Sequence, residues 1–199
     1  VALLLVPATG SPFFHENFDS AADPAERGWQ RGGATSETVW QLSTERALGS
    51  RSLRGADRAA ETDRWIATPP IAMPADFDAD LRLRFSSYSD TETGWDGVVL
   101  EVAIDDEAWA EISTREARFV TGGYFGELGS GPLENRQAWH GQSGGWLTTE
   151  VALAAAAEAR DARRREEGEA LVAPVLQRQS ISERPVSTFC RDRNGNKPS

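Results

Sequence analysis

The chain of 199 residues is long enough for one domain with a substantial core. Its formal net charge of −10 argues against nucleic acids and anionic membrane surfaces as partners, because both are bound mainly through Lys and Arg. The lone cysteine, Cys190, excludes an internal disulfide and a thiolate cluster for zinc, and no run approaches the ~20 apolar residues that a membrane-spanning helix requires.

The first ten residues, VALLLVPATG, resemble the end of the apolar region of a signal peptide followed by small residues. We therefore interpret residues 1–12 as a signal-peptide remnant or a linker. On this interpretation the protein is secreted or displayed at the cell surface. A short buried strand at the same place is the alternative.

From residue 13 onward, short runs of β-forming residues are separated by Gly, Pro, Ser and Asp, a pattern typical of a β-sandwich or barrel. No helix is needed before residue 150. The predicted strands are Phe13–Asp19, Thr38–Leu42, Ser52–Arg54, Arg64–Thr68, Leu81–Tyr88, Gly97–Asp105, Trp109–Ser113, Ala117–Thr121 and Trp146–Leu153.

Two of these runs alternate with the period of a half-buried strand. In the first, apolar residues from Leu81 to Phe85 alternate with arginine and serine, and in the second the even positions from Val98 to Ile104 are apolar. Because successive side chains of a strand point to opposite faces, one set is predicted to enter a core. The other set, which includes Val99 and Glu101, is predicted to face water.

Two connections are candidate recognition surfaces. The turn after residue 88 carries Asp90, Glu92 and Asp96 beside Trp95, which predicts an exposed acidic cluster. The glycine-rich stretch Gly122–Gly145 is long for a connection within a domain, and such loops are usually functional or mobile.

Aromatic residues in these connections are candidate ligand-binding residues. Trp95, Tyr124, Phe125 and Trp139 can stack on a sugar or on apolar groups of a partner. Packing against the core from the loop side is the alternative. Exposure of the rings separates the two.

From residue 154 the composition changes. Residues 154–168 read AAAAEARDARRREEG, a run of strong helix formers with Arg and Glu close enough to pair along a helix. The last residues have low hydrophobicity, which predicts disorder. Residues 155–199 are therefore interpreted as a helical and disordered tail.

Neither of the two catalytic motifs in the chain is complete. His15 and Glu16 begin an HExxH pattern, but the second zinc-binding histidine is replaced by Asp19. Ser143 lies in a G-x-S-x-G segment beside His140, but a nucleophilic serine also needs an orienting acid and a suitable turn. We expect no catalytic site in this chain, and a small serine hydrolase that uses Ser143 and His140 is the alternative.

Residues 14–153 resemble the MAM-like jelly-roll domain of secreted bacterial proteins. That domain is an accessory domain of immune inhibitor A-type metallopeptidases and also occurs in adhesin-like surface proteins. The resemblance implies two antiparallel sheets and a noncatalytic role beside a protease or at a cell surface. The closing strand of the family is missing here, which indicates a frameshifted or a divergent C-terminus. The segments that carry the resemblance are FHENFDS, Gly28-Trp29, VWQL, RWIATPPI, YSDTETGWDGVVLEVAIDDEAW and NRQAWHGQSGGWLTTEVAL.

Calcium is the cofactor that the acidic residues favour. Hard cations take six to eight oxygen ligands, usually carboxylates and carbonyls from several loops. Glu16 and Asp19 near the first strand, with Asp57 and Asp96 from loops, are the candidate ligands. Solvated surface acids are the alternative.

We therefore predict an all-β, antiparallel jelly-roll sandwich over residues 13–154, followed by a short helix and a disordered tail. The predicted function is a noncatalytic extracellular recognition or accessory module, with calcium as a structural ion. Its expected partners are a protein or glycan at the cell surface, or a protease domain of the parent chain, with no nucleic acid and no membrane span. A calcium-dependent carbohydrate-binding domain is the other alternative.

Overall fold

The computed structural model describes residues 3–7, 11–33, 40–55, 61–72, 81–103, 107–114, 117–153 and 175–181. Within these residues the chain forms fourteen β-strands and two short 3-10 helices, Pro24–Arg27 and Ile112–Thr114. The strands are β1 (Leu3–Pro7), β2 (Phe14–Glu16), β3 (Gln30–Gly33), β4 (Trp40–Ser43), β5 (Ser52–Gly55), β6 (Thr62–Ala67), β7 (Leu81–Ser87), β8 (Gly97–Val102), β9 (Ala110–Glu111), β10 (Arg118–Thr121), β11 (Gly126–Glu127), β12 (Gln137–His140), β13 (Leu147–Ala152) and β14 (Val175–Ile181).

The strands form two large antiparallel sheets and a hairpin. The first sheet has the order β10-β13-β7-β1-β2, and the second has the order β11-β12-β8-β14-β6-β3 with β9 paired to β8. β4 and β5 form a separate two-stranded hairpin. The large sheets share one core, in which Phe85 of β7 meets Trp139 of β12 edge to face with ring centroids 5.6 Å apart. The prediction of an all-β antiparallel sandwich is confirmed.

The alternation predicted for β7 is confirmed. Leu81, Leu83 and Phe85 are buried in the shared core, whereas Arg84 on the opposite face is exposed. β7 lies inside the first sheet, between β13 and β1, so its backbone is paired on both edges.

The alternation predicted for β8 is wrong on its outer face. Leu100 and Val102 enter the shared core as expected, but Val99 and Glu101 are also buried. Leu128 and Leu133 from the glycine-rich stretch pack on Val99 and shield it from water. Positions 104 and 105 lie outside the described residues.

Arg136 completes this second layer over β8. Its guanidinium donates to the Glu101 carboxylate at 2.7 Å and to the Glu111 carboxylate at 3.2 Å. The stretch Gly122–Gly145, predicted as a loop, thus contains two strands and covers the sheet.

At its C-terminal end the fold departs from the predicted tail. Val175–Ile181 forms β14 and pairs with β6 on one edge and β8 on the other. The interpretation of residues 155–199 as helical or disordered is therefore wrong at 175–181. A strand gains backbone pairing from both neighbours, which local composition does not reveal. The predicted helix at 154–168 lies outside the described residues.

Other departures have local causes. Leu3–Pro7, interpreted as a signal-peptide remnant or linker, pairs with β2 and β7 as β1, in agreement with the alternative of a short strand. The sequence pattern did not predict β3, because its glycines have low β-propensity. A Cβ at Gly32 would lie 2.6 Å from the Trp65 ring, so close strand pairing requires glycine there. Of the strand predicted at 109–113, only Ala110–Glu111 forms, and the chain then turns into the second 3-10 helix.

Candidate ligand-binding cleft

An aromatic cleft lies between the two large sheets and the β4–β5 hairpin, and its lining comes from all three. This inner cleft has a volume of about 140 Å³. Its walls include four of the seven tryptophans, together with Phe18, Phe85 and Tyr88. The four are Trp29, Trp40, Trp139 and Trp146.

A polar groove adjoins the inner cleft and has a volume of about 380 Å³. Trp40, Leu53, Tyr88, Ser89 and Val98 line both spaces, so the two are continuous. The charged side chains that line this outer groove are Glu45, Arg46, Arg54, Asp90 and Asp96.

Tyr88 forms the boundary between the two spaces. The Arg46 guanidinium lies 4.2 Å from the centre of the Tyr88 ring, an arrangement that favours a cation–π interaction. Trp146 meets the same ring edge to face at 6.1 Å. Arg46 also pairs with Asp90 at 3.4 Å, and Arg54 pairs with Glu45. Both arginines of the groove are thus paired with acids, and Asp96 is a third acidic residue in its lining.

The hairpin is fixed over the cleft by the Asp19 carboxylate. Asp19 Oδ1 accepts hydrogen bonds from Ser50 N at 2.7 Å, Ser50 Oγ at 2.9 Å and Arg51 N at 3.2 Å. The hydrogen bond from the Ser50 hydroxyl, followed by those from the two amides, lowers the pKa of Asp19 from its ordinary value. Ser50 and Arg51 immediately precede β5, so Asp19 holds the hairpin against the chain that follows β2.

Phe18, which lines the cleft beside Asp19, has a left-handed backbone with φ of 57°. This conformation is uncommon for a bulky residue, and such strain concentrates at functional sites. Glu16 stabilises it, because its carboxylate accepts a hydrogen bond from Phe18 N at 2.6 Å while also pairing with Arg27. The Phe18 ring then packs on Trp29 with centroids 5.1 Å apart.

Two residues that line the cleft each have a buried polar atom with no hydrogen-bond partner among the described residues. The two atoms are Nε1 of Trp40, a residue that is 6% exposed, and Oγ of Ser89. The Ser89 main chain is fully engaged, since its N–H donates to Ser143 Oγ and its carbonyl accepts from Ser143 N. Native proteins rarely leave buried donors unpaired, so these two atoms require an explanation.

The structure describes three of the four candidate calcium ligands, and these three do not form a metal-binding group. Glu16 is engaged with Arg27, Asp19 is engaged with Ser50, and Asp96 is buried at the outer groove. Asp57 lies outside the described residues. Within the described part of the chain, no three side chains of His, Cys, Asp or Glu form a group that could hold a metal ion. Calcium stays a prediction.

The four candidate ligand-binding aromatics have different surroundings, and Phe125 is the exposed one at 43%. Trp139 is only 3% exposed and lies on β12, where it lines the inner cleft from the core side. Tyr124 packs on Trp139 with centroids 4.6 Å apart, which agrees with the alternative of core packing. Burial raises the pKa of Tyr124 above its ordinary value, and its hydroxyl accepts from Leu100 N at 3.0 Å. Trp95 is half-buried, and the acidic cluster beside it is only partly exposed because Asp96 is buried.

Ser143 and His140 each have structural partners. Ser143 Oγ donates to the Gly145 carbonyl at 2.6 Å and accepts from Ser89 N at 3.1 Å. His140 Nδ1 accepts from Gly94 N at 3.3 Å. No hydrogen bond joins Ser143 to His140 among the residues described. Both side chains tie the turn at 140–145 to the loop that follows β7.

Sequence reasoning missed the residues that distinguish the cleft, Trp40, Tyr88 and Ser89. Tyr88 and Ser89 are adjacent in the chain, but no motif joins them to position 40. The abundance of tryptophan was the one relevant signal, because seven indoles in 199 residues supply a large aromatic surface for a core or a cleft.

No protein-family model, curated protein or solved structure matches this chain. Over the residues that the structure describes, no helix combines the length and the apolar character needed to cross a membrane. The function must therefore be argued from the cleft and its residues.

Proposed function

We propose that this β-sandwich is a noncatalytic recognition module that binds its ligand in the aromatic cleft. One observation carries the proposal: a concave space is walled by aromatic rings, and two of its lining residues, Trp40 and Ser89, each have a buried polar atom without a partner. Binding sites are typically concave, mostly apolar and equipped with a few polar groups that orient the ligand. The inner cleft has this composition.

The position of the cleft also supports recognition. Loops and hairpins at the end of a rigid sandwich commonly carry binding residues, because the sheets hold them in place. Here β7 and β8 supply fixed walls, and the hairpin supplies Trp40 and Leu53. The Asp19 hydrogen bonds limit the movement of that hairpin.

The resemblance of residues 14–153 to accessory domains extends this proposal. The module would then act outside the cell, beside a protease domain or against a protein or glycan at a cell surface. Calcium would stabilise it structurally through Glu16, Asp19, Asp57 and Asp96. These extensions rest on the sequence alone.

The proposal is tested by mapping ligands onto the tryptophan indole N–H signals in NMR spectra. The panel contains small aromatic compounds, monosaccharides, oligosaccharides and calcium. We expect at least one compound to shift the signals of Trp40 and Trp146. Calcium is tested separately by calorimetry with the native protein and Asp19→Asn, and the absence of heat with the native protein would contradict the calcium proposal.

A matched pair of substitutions locates the binding. Leu53 on β5 lines the cleft, whereas Leu48, in the connection between β4 and β5, is exposed. Leu53→Trp should fill the cleft and abolish binding, and Leu48→Trp should leave it unchanged. Equal binding by both variants would place the ligand elsewhere and would refute the proposed site.

A further inference from the structure

We infer that the cleft binds a small organic cation, with its apolar group in the inner cleft and its charged group on the Tyr88 ring beside Asp90. There the charge of the ligand takes the place that the Arg46 guanidinium now holds. This inference rests on the proposed function and names the chemical class of its ligand.

Tyr88 already holds a cation at the boundary between the two spaces. The central carbon of the Arg46 guanidinium lies 4.2 Å from the centre of the Tyr88 ring. The negative face of an aromatic ring attracts guanidinium and ammonium groups alike. Because Tyr88 lines both the inner cleft and the outer groove, a cation on this ring is within reach of both spaces. The ring is therefore a cation site that the chain itself occupies.

Arg46 is held there weakly enough to be displaced. Its side chain is 55% exposed, and that of Asp90, with which it pairs at 3.4 Å, is 47% exposed. An ion pair between exposed side chains contributes little to stability, because water screens it and the side chains lose freedom. Asp90 also accepts a hydrogen bond from Gln142 Nε2 at 3.1 Å, which holds the carboxylate when Arg46 moves away. A ligand cation can thus replace the guanidinium and gain both of its partners.

The inner cleft suits the uncharged part of the ligand. Its lining among the described residues contains no acidic or basic side chain, and burying a charge without a partner costs much free energy. The charged group therefore stays at the boundary. A cavity of about 150 Å³ in another protein binds benzene, and the inner cleft has about 140 Å³, so one six-membered ring fits. Apart from the aromatic residues, the polar side chains of the lining are the hydroxyls of Thr68, Ser86, Ser87 and Ser89.

The charges of the outer groove favour a cation over an anion. The lining contains three acids and two arginines, which gives it a formal charge of −1. When Arg46 moves aside for the ligand, the rest of the lining has a formal charge of −2. The net charge of −10 for the whole chain acts in the same direction. An anionic ligand would be repelled.

The test compares three benzene derivatives of similar size and different charge at neutral pH, namely benzylammonium, benzyl alcohol and benzoate. Calorimetry measures their affinities, and the indole N–H signals of Trp40 and Trp146 show in NMR spectra whether each compound enters the cleft. A cation–π contact strengthens binding about 2- to 30-fold, so benzylammonium should bind that much more tightly than benzyl alcohol. Benzoate should bind most weakly. Added salt should weaken the binding of benzylammonium and not that of benzyl alcohol.

Removal of the internal cation gives the sharpest result. Arg46→Gln uncovers the Tyr88 ring, so this variant should bind benzylammonium about 2- to 5-fold more tightly than the native protein does. Arg54→Gln is the matched control, because it makes the same change of charge in the same groove and leaves Arg46 on the ring. The gain in affinity from Arg54→Gln should be smaller. The affinity for benzyl alcohol should show no such gain in either variant.

Tyr88→Leu tests the ring itself. Loss of the aromatic face should reduce the preference for benzylammonium over benzyl alcohol about 2- to 5-fold. If this variant does not fold, Arg46→Gln decides, because Arg46 is exposed and its replacement leaves the core intact.

The outcomes separate this inference from the proposed function. If benzyl alcohol binds in the cleft as tightly as benzylammonium, the cationic class is overturned and the recognition function stands. Equal gains from Arg46→Gln and Arg54→Gln would reduce the effect to general charge and would also overturn the inference. Binding of benzylammonium without a shift at Trp40 or Trp146 would place it elsewhere, with the same consequence. If no compound of this series or of the earlier panel shifts a cleft signal, both fail.

Discussion

Two tryptophans with similar burial have different hydrogen-bonding states. Trp139 is 3% exposed and donates from Nε1 to the Gly122 carbonyl at 2.9 Å, whereas Trp40 is 6% exposed and its Nε1 has no partner among the described residues. Around Trp139, Tyr124 is also hydrogen-bonded, through Leu100. The hydroxyl of Ser89, which lines the same cleft as Trp40, is also unpartnered.

This difference separates a core in which the indole N–H is hydrogen-bonded from a cleft lining in which it is not. Burying a polar group without a partner costs free energy, so the proposed ligand site predicts different roles for the two regions. The region around Trp139 should therefore contribute to stability, and the region around Trp40 should contribute to binding.

The largest expected difference in stability is between Trp139→Phe and Trp40→Phe, each of which removes one indole N–H group. Trp139→Phe loses packing and one of the two hydrogen bonds to the Gly122 carbonyl, which keeps the bond from Thr149 Oγ1, so it should reduce the free energy of unfolding by about 1–3 kcal/mol. Trp40→Phe breaks no hydrogen bond, so its loss of unfolding free energy should be smaller than that of Trp139→Phe by about 1 kcal/mol or more. Urea denaturation with an unchanged m-value measures both. Equal losses would contradict the comparison.

A smaller effect is expected at the tyrosines. Tyr124→Phe removes the hydroxyl that bonds to Leu100 and should cost about 1 kcal/mol. Tyr88→Phe keeps the ring that Arg46 covers, so its effect should stay within about 0.5 kcal/mol. The same urea experiment applies. If Tyr88→Phe loses more unfolding free energy than Tyr124→Phe, the tyrosine of the cleft and not that of the core has the structural role.

Alkaline pH should reveal the burial of Tyr124 directly. Tyr88→Phe leaves Tyr124 as the lone tyrosine, and its ionisation can be followed by ultraviolet absorbance. Because burial raises the pKa of Tyr124 from 10.0, the unfolded chain loses this proton first as pH rises. Stability should therefore decline above pH 10. If Tyr124 of the folded variant ionises with an ordinary tyrosine pKa, the expected effect of its burial is refuted.

The smallest effect should appear at acid pH through Asp19. Its pKa is lowered in the fold, so its contribution is present above the ordinary aspartate pKa and is lost as pH falls through the lower folded value. The native protein should exceed Asp19→Asn in stability at pH 7, and the difference should vanish below about pH 3. Glu127→Gln, at an exposed position, is the control. A difference that persists at low pH would exclude the charge as its cause.

The sequence predicted those parts of the fold that depend on local pattern. The alternation from Leu81 to Phe85 identified a strand and its buried face, because period and polarity agree there. The outer face of β8 could not be assigned in this way, since Val99 is covered by Leu128 and Leu133, about thirty residues away in the chain.

The cleft was less predictable than the fold. Trp40, Ser89 and Trp139 come from three segments that meet only after the sheets pack. Their candidate chemistry depends on a missing hydrogen-bond partner, and a missing partner has no sequence signature. The acidic and aromatic residues that the sequence did offer, such as Asp19 and Tyr124, instead hold the hairpin and fill the core.

The position of β14 has a consequence for how the molecule is made. Both β6 and β8 pair with β14, so each presents an open edge until residues 175–181 have left the ribosome. Such long-range pairing is slow to form, and open edges invite association between nascent chains. The two parts of the second sheet, β11-β12-β8 and β6-β3, therefore cannot join until the late strand β14 pairs between them.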